Sequence, residues 1–116
     1  MMQPNPYWSQ LEVDLTGTSG IIVAKGEDRA VYFERLRDSI RQHATTPDQI
    51  SATVVEPGFR HRELGSQISG VLLAMTAGYW LVFEPEEREY YCFWGVDRSN
   101  LGAHGVCGNP LYCWWE

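Results

Sequence analysis

Basic residues are scarce in this sequence of 116 residues: nine Lys and Arg stand against fifteen Asp and Glu, which gives a formal net charge of −6. Lys25 is the only lysine. A surface that binds nucleic acid neutralises phosphates with clustered Lys and Arg, so the charge argues against that class of protein. An acidic surface instead favours a basic protein partner, because long-range attraction speeds their encounter.

Cysteine is sparse as well, and the three cysteines form an odd set without a Cys-x-x-Cys pair. Small secreted scaffolds normally carry an even set of cysteines joined as disulfides. We therefore expect a reducing, cytoplasmic setting. The first six residues also lack the basic and apolar regions of a signal peptide, so we expect no such signal.

No hydrophobic run is long enough for a membrane helix. Residues 64–83 contain no charge, but they include Ser, Gln and Thr side chains and three glycines, whereas a spanning helix is predominantly apolar. We therefore expect no membrane contact. The hydrophobic share of 44% instead predicts one globular domain over residues 1–116, large enough to bury a core without metal or disulfide.

Aromatic residues are abundant in contrast, with five Trp and six Tyr. Two aromatic runs, residues 79–83 and 90–96, flank an acidic segment at 84–89 that contains a proline. This composition is typical of a β-hairpin. Both faces of each run are apolar, so we expect the hairpin to lie within a sheet that is covered on both sides.

The register of this hairpin follows from its loop length. A two-residue or four-residue loop pairs Phe83 with Tyr90 and sets Glu84 opposite Glu89, whose like charges repel. A three-residue loop would pair Glu84 with Arg88, but that loop commonly needs a glycine that this segment lacks. We therefore predict the first register, with both carboxylates in water.

Periodicity predicts the other elements. Residues 7–16 alternate between apolar and polar, which is typical of a half-buried strand, and residues 21–25 favour a second strand paired back on it. The apolar face of residues 28–43 predicts a helix. Residues 45–49 carry the signature of a single helical turn, and residues 50–56 predict a strand.

The stretch 64–77 leaves two interpretations open. Leu64, Ile68 and Leu72 follow the spacing of one helical face, and on that periodicity we favour a helix. The alternative is a strand over residues 71–76 that turns directly into the aromatic hairpin.

The last segments complete a fold prediction. Residues 97–110 predict a glycine-rich irregular loop, and residues 111–115 predict a last strand. Together the elements predict an α+β domain in which two helices pack on a mostly antiparallel sheet of five or six strands. The predicted order is β-β-α-β-α-β-β-β.

The first candidate site is the junction at residues 54–66, where a predicted strand ends and a predicted helix begins. The free N–H groups and positive dipole end of a helix start bind anions. Arg60 and Arg62 are unfavourably placed at a helix start unless an anion compensates them. We therefore predict that Arg60, Arg62, Gly65 and Ser66 bind a phosphate or carboxylate.

This junction resembles the acetyl-coenzyme A loop of the N-acetyltransferase superfamily, whose pattern is Arg/Gln-x-x-Gly-x-Gly/Ala between a strand and a helix. Arg60 and Gly65 match the first and last positions, while Glu63 stands at the middle glycine. The resemblance implies an enzyme that binds acetyl-coenzyme A at residues 60–66, with backbone N–H groups around the pyrophosphate.

The second candidate site combines soft ligands from the last third of the chain. His104 and Cys107 form a His-x-x-Cys pair, and Cys92 and Cys113 could complete a tetrahedral zinc site. The spacing matches no established zinc motif. The alternative is that Cys92 and Cys113 are small core residues within strands.

The third candidate is a surface for a protein partner. Trp and Tyr contribute disproportionately to interfaces, and the aromatic residues exceed what a core of this size needs. The predicted interface residues are Trp8, Trp80, Tyr91, Trp114 and Trp115 together with the acidic Glu86 and Glu87. The alternative is that these aromatic residues belong to the core.

These observations favour a small acidic protein that binds another protein, with a basic partner as one option, as an inhibitor, immunity-type factor or regulatory subunit does. Self-association through the aromatic surface is a further option. The sequence contains no complete catalytic constellation and predicts no cofactor. The alternative function is an enzyme similar to N-acetyltransferases that uses residues 60–66.

Overall fold

The computed structural model describes residues 6–17, 21 and 23–114, and in this part of the chain five strands form a closed barrel flanked by three helices. The elements are, in order, α1 (Trp8–Asp14), α2 (Arg29–Gln42), β1 (Gln49–Val54), β2 (Gln67–Thr76), β3 (Tyr79–Glu84), β4 (Glu89–Trp94), β5 (Gly102–Gly108) and α3 (Pro110–Trp114). The α+β class and the five mostly antiparallel strands are confirmed. The predicted element order is wrong, because the helices lie at the two ends of the chain.

The barrel closes through a parallel pair. Neighbouring strands along the chain are antiparallel, and β1 then pairs with β5 in parallel at Thr53–Gly102 and Val54–Ala103. An odd number of alternating strands leaves the first and the last pointing the same way, so the closing pair has to be parallel. Closure removes most of the free sheet edge that an open sheet would expose.

The barrel separates two hydrophobic cores, because successive side chains of a strand point to opposite faces. Val82, Tyr91 and Phe93 point into the barrel and pack with residues of β1, β2 and β5. Leu81 and Cys92 lie on the outer face and pack with residues of the three helices. The prediction that both faces of the aromatic hairpin are covered is confirmed.

The aromatic hairpin forms in the predicted register, with Glu84 opposite Glu89 across a four-residue turn. The expectation that Glu84 lies in water is wrong, since it is only 6% exposed. Its carboxylate accepts hydrogen bonds from the backbone N–H groups of Glu86 at 3.1 Å and Glu87 at 2.6 Å. These donors compensate the buried charge and hold the turn in place.

Residues 7–16 contain helix α1 rather than the predicted strand. Leu11 and Leu15, four positions apart, are buried, whereas Val13 between them is 66% exposed. The sequence alternates at these positions, but only the i, i+4 pair faces the core. A helix that packs on the barrel uses that spacing, so burial on one helical face overrides the strand pattern.

Residues 64–77 form the alternative element, strand β2, and the favoured helix is wrong. Leu72 packs inside the barrel, while Leu73 packs on the outer face against the helical layer. Both faces are buried from Leu72 to Ala74, so this part of the strand shows no apolar–polar alternation, and the apolar spacing over the whole segment imitates a helix.

Residues 45–49 do not form the predicted helical turn, because they run extended beside β2. The backbone N–H of Thr45 donates to the carbonyl of Leu73 at 3.1 Å. The N–H of Leu72 donates to the carbonyl of Asp48 at 2.8 Å. The strand predicted at 50–56 is confirmed in part, since β1 begins and ends slightly earlier.

Two further predictions are wrong, one for a strand and one for a loop. Residues 21 and 23–25 form no strand, although Ile21 packs in the outer core. The predicted loop at 97–110, by contrast, contains β5, which pairs with β4 on one side and β1 on the other. The glycines of β5 gave it the composition of a loop.

The predicted last strand at 111–115 is helix α3 as far as Trp114, and Trp115 lies outside the described residues. Asn109 precedes this helix, and its side-chain oxygen accepts a hydrogen bond from the backbone N–H of Tyr112 at 2.8 Å. Pro110 follows as the first helical residue, where proline is tolerated. This cap and proline form a helix start that aromatic content concealed.

Helix α2 confirms the prediction for residues 28–43. Asp28 caps it, because its side chain accepts a hydrogen bond from the N–H of Val31 at 3.1 Å, and Phe33 and Ile40 supply its buried face. At 14 residues it is the longest described helix. Within the described ranges, no helix combines the length and apolarity needed to cross a membrane.

Arg41 joins α2 to α1 through an ion pair with Glu12 at 2.9 Å. The hydrogen bond from Arg41 lowers the pKa of the Glu12 carboxyl. The ion pair therefore stabilises the fold at pH values above the ordinary pKa of a glutamate carboxyl group. This contribution is lost as the pH falls through the lowered pKa of Glu12. Because both side chains are more than one-third exposed, we expect Glu12→Gln to cost about 0.5 kcal/mol near pH 7 and almost nothing near pH 2.

Urea unfolding at both pH values measures this difference. Glu56→Gln is the control, because Glu56 is exposed and forms no ion pair within the described ranges. Equal costs of Glu12→Gln at the two pH values would contradict the role of the ion pair.

Candidate functional site

Two connections of the barrel meet at one end and form what we call the acidic end, residues 55–66 and 84–89. The first is the loop between β1 and β2, and the second is the β3–β4 turn with its flanking residues. Arg62 of the loop forms an ion pair with Glu87 of the turn. Both segments also line a groove of about 400 Å³.

Tyr91 fastens the loop to the barrel. Its ring is fully buried in the barrel interior, and its hydroxyl lies 2.9 Å from Nε2 of His61. Arg62 donates to the same hydroxyl oxygen from Nε and Nη2, both at 3.3 Å. A phenol oxygen accepts two hydrogen bonds and donates one. The one hydroxyl therefore joins His61 and Arg62 of the loop to β4 of the barrel.

The surroundings of Tyr91 and of the nearby Cys107 raise the pKa values of both side chains. Burial raises the pKa of Tyr91, although Arg62 opposes this effect. Cys107 lies opposite Tyr91 on β5, and burial, followed by the charges of Glu89 and Glu87, raises the pKa of its thiol. An activated nucleophile needs a lowered thiol pKa. We use the name Tyr91 cluster for Tyr91, His61 and Arg62, and we interpret its hydrogen bonds as contacts that position the loop.

Charge is concentrated at the acidic end. Its charged residues are six glutamates, Glu56, Glu63, Glu84, Glu86, Glu87 and Glu89, and three arginines, Arg60, Arg62 and Arg88. Six acids against three bases give half of the net charge of −6. Leu64 lies among them with 57% of its surface exposed. The acidic end thus carries both exposed carboxylates and an exposed apolar side chain.

The predicted anion site at Arg60, Arg62, Gly65 and Ser66 lacks its structural basis. A strand follows the loop where a helix was predicted, so there is no helix start. The N–H of Gly65 donates to the carbonyl of Val54, and the N–H of Ser66 donates to that of Glu63. These donors are occupied within the loop, which removes the physical support for a cradled pyrophosphate and for the acetyl-coenzyme A interpretation.

The predicted zinc ligands do not converge. Cys92 and Cys113 are buried in the outer core, whereas Cys107 packs against the barrel interior. His104 is exposed and lies against Trp94. Across residues 6–17, 21 and 23–114, no three His, Cys, Asp or Glu side chains are grouped to hold a metal ion. Cys92 and Cys113 are both core residues, as the alternative held, but Cys113 lies in helix α3 rather than in a strand.

The predicted aromatic interface is wrong for three of its residues. Trp80, Tyr91 and Trp114 are 5%, 0% and 6% exposed. The indole N–H of Trp80 donates to the carbonyl of Gly95 at 2.8 Å, so its polar atom is satisfied within the fold. The apolar surface of Trp80 and Tyr91 is buried inside the barrel, and that of Trp114 is buried in the outer core. The sequence does not indicate that the fold has two cores.

The remaining interface residues have different environments. Trp8 is partly buried and donates to Glu12 at 3.2 Å, and Trp115 lies outside the described residues. Glu86 and Glu87 are exposed on the β3–β4 turn, as an interface requires.

The contact between His61 and Tyr91 is not predicted from the sequence, because the two residues are thirty positions apart. A tyrosine at an inward-facing strand position was a usable signal, since a buried hydroxyl requires a partner. Comparisons with protein-family models, curated proteins and solved structures found no match to this chain.

Proposed function

We propose that the protein acts by binding another protein through its acidic end, and that the partner presents a basic surface there. The observation that carries this proposal is the group of exposed carboxylates at the acidic end, which also bears the exposed Leu64. Glu56, Glu63 and Glu86 are exposed and form no ion pair within the part of the chain that the structure describes. Unpaired charges and an exposed apolar side chain at the same end suit a polar rim around a small apolar contact.

The internal contacts of the acidic end support the same proposal. The Tyr91 cluster fixes the loop, and the buried Glu84 carboxylate fixes the turn. Segments that are held in place before binding lose less conformational entropy when a partner arrives. The end of the barrel is therefore organised for recognition without needing the partner to order it.

Charge reversal tests the proposal. We expect Glu56→Lys combined with Glu86→Lys to slow association with the partner by at least about tenfold at low salt, because attraction between opposite charges is replaced by repulsion. Partners are first cross-linked to the wild-type protein in an extract of its own cells and identified. The association rate is then measured with the purified partner by stopped flow at low and high salt.

Glu27→Lys combined with Asp38→Lys is the matched control. Glu27 lies just before α2 and Asp38 lies on it, both are exposed, and the change in net charge is the same. If the control slows association as much as the double change at the acidic end, the binding surface lies elsewhere. An association rate that does not depend on salt would contradict a basic partner surface.

A further inference from the structure

A second cavity lies where the end of α1, the β3–β4 turn and the junction between β5 and α3 meet. It has a volume of about 380 Å³, which is in the range of small-molecule sites. Its lining residues are Val13, Asp14, Thr16, Gly17, Arg88, Tyr90, Gly108, Asn109 and Pro110. We call it the Arg88 cavity.

Asp14 presents a carboxylate oxygen to this cavity. Its Oδ2 atom accepts hydrogen bonds from the hydroxyl of Tyr90 at 2.6 Å and from Nε2 of Gln10 at 3.0 Å. Its Oδ1 atom has no hydrogen-bond partner among the described residues. Burial raises the pKa of Tyr90, so Tyr90 remains a donor that fixes Asp14. One oxygen is thereby held in place while the other stays available to a cation.

Arg88 supplies the opposite charge. Its side chain is exposed and forms neither a hydrogen bond nor an ion pair in the described chain, and it does not pair with Asp14 although both line the cavity. Its backbone φ is +56°, a left-handed conformation that side chains rarely adopt and that favours glycine in hairpin turns. The backbone of Arg88 is strained and its side chain is unpaired, so this arginine makes no visible contribution to the stability of the fold. This points to a role in binding a ligand.

We propose that the Arg88 cavity binds a free amino acid, whose carboxylate is held by Arg88 and whose ammonium group is held by Asp14. Guanidinium and carboxylate form paired hydrogen bonds, and Oδ1 of Asp14 is free to accept from an ammonium group. Val13, 66% exposed, offers apolar contact to a side chain. Both charges of the cavity are then matched by one small ligand.

The binding test follows the two-dimensional NMR spectrum of the labelled protein as amino acids are added. A panel with acidic, basic, aliphatic and aromatic side chains is titrated first. For the best amino acid, its methyl ester removes the carboxylate charge and its N-acetyl form removes the ammonium group. We expect both derivatives to bind at least about tenfold more weakly, since each loses a charged hydrogen bond.

Two variants assign the charges. Arg88→Gly suits the left-handed backbone, so the fold is kept, and this variant is expected to bind the amino acid and its ester equally. Asp14→Asn keeps an oxygen for Tyr90 and is expected to lose the preference for the free ammonium group. Arg29→Ala is the control, because Arg29 is an exposed arginine on α2 outside the cavity, and it is expected to behave as the wild type.

The outcomes decide the proposal in either direction. Chemical-shift changes at the cavity residues with the expected selectivity would support it. The absence of chemical-shift changes with every amino acid at concentrations up to about 20 mM would overturn it. A dissociation constant above that concentration would be far weaker than useful small-ligand binding. It would also be overturned if Arg88→Gly and Arg29→Ala changed the selectivity to the same extent.

Discussion

Replacing Gly70 with alanine is expected to lower the free energy of unfolding by about 3 kcal/mol. A Cβ atom at this position would lie 2.5 Å from Cγ1 of Val82 and 2.6 Å from the carbonyl oxygen of Phe83. Backbone atoms cannot move aside as a flexible side chain does, so β2 and β3 would have to separate. Urea unfolding followed by tryptophan fluorescence measures the loss.

Gly102→Ala is the matched control for this prediction. Gly102 also lies in a strand without a positive φ, but its Cβ would meet Nε2 of His104 at 2.9 Å. His104 is an exposed side chain whose ring end can rotate away. We therefore expect a cost below about 1 kcal/mol. Similar losses for the two alanine variants would show that the approach of β2 to β3 is not the cause.

Removing the hydroxyl of Tyr91 as Tyr91→Phe is expected to cost about 2 kcal/mol and to loosen the loop at 55–66. His61 and Arg62 both lose the oxygen they share, and Arg62 is largely shielded from water. A charged donor left without its acceptor is costly when it is partly buried. Hydrogen exchange of the loop backbone, together with urea unfolding, measures both effects.

Tyr90→Phe is the internal comparison, because it removes a hydroxyl from the neighbouring residue on the opposite face of β4. The Tyr90 hydroxyl donates to Asp14 at the end of α1. Faster exchange should therefore appear around residues 8–17 in this variant and at 55–66 in Tyr91→Phe. The same exchange pattern in both variants would contradict a local role for the Tyr91 cluster.

Under the proposed function, Tyr91→Phe is also expected to affect partner binding. If the loop at 55–66 forms part of the partner surface, Tyr91→Phe weakens partner binding without changing any exposed charge. The control is again Tyr90→Phe, which leaves this loop fastened. A variant with a loosened loop and unchanged partner affinity would place the binding surface on the turn alone.

Elements with strong local signals could be predicted from the sequence. Helix α2 carries an N-cap at Asp28 and a regular apolar face, and the aromatic hairpin carries two dense runs around an acidic turn. Both signals depend on neighbours within a few residues, so no distant contact was needed to interpret them. The acidic turn also directed attention to Glu86 and Glu87, which the structure places on the exposed acidic end.

Elements that depend on distant partners could not be predicted. The alternation at 7–16 is compatible with a strand, and only packing on the barrel selects the helical pair Leu11 and Leu15. The apolar spacing at 64–77 is compatible with a helix, and only pairing with β1 and β3 selects the strand. In both segments the local preference is weak, so burial against other elements decides the outcome.

The sequence alone determined the acidic balance, the α+β class, helix α2 and the paired aromatic strands, because composition and short-range spacing carry that information. Only the tertiary structure decided that the strands close into a barrel with a core on each side. That closure buries Trp80, Tyr91 and Trp114 and brings His61 and Arg62 to the Tyr91 hydroxyl. Contacts between residues far apart along the chain form only when the barrel closes, so local pattern cannot specify them.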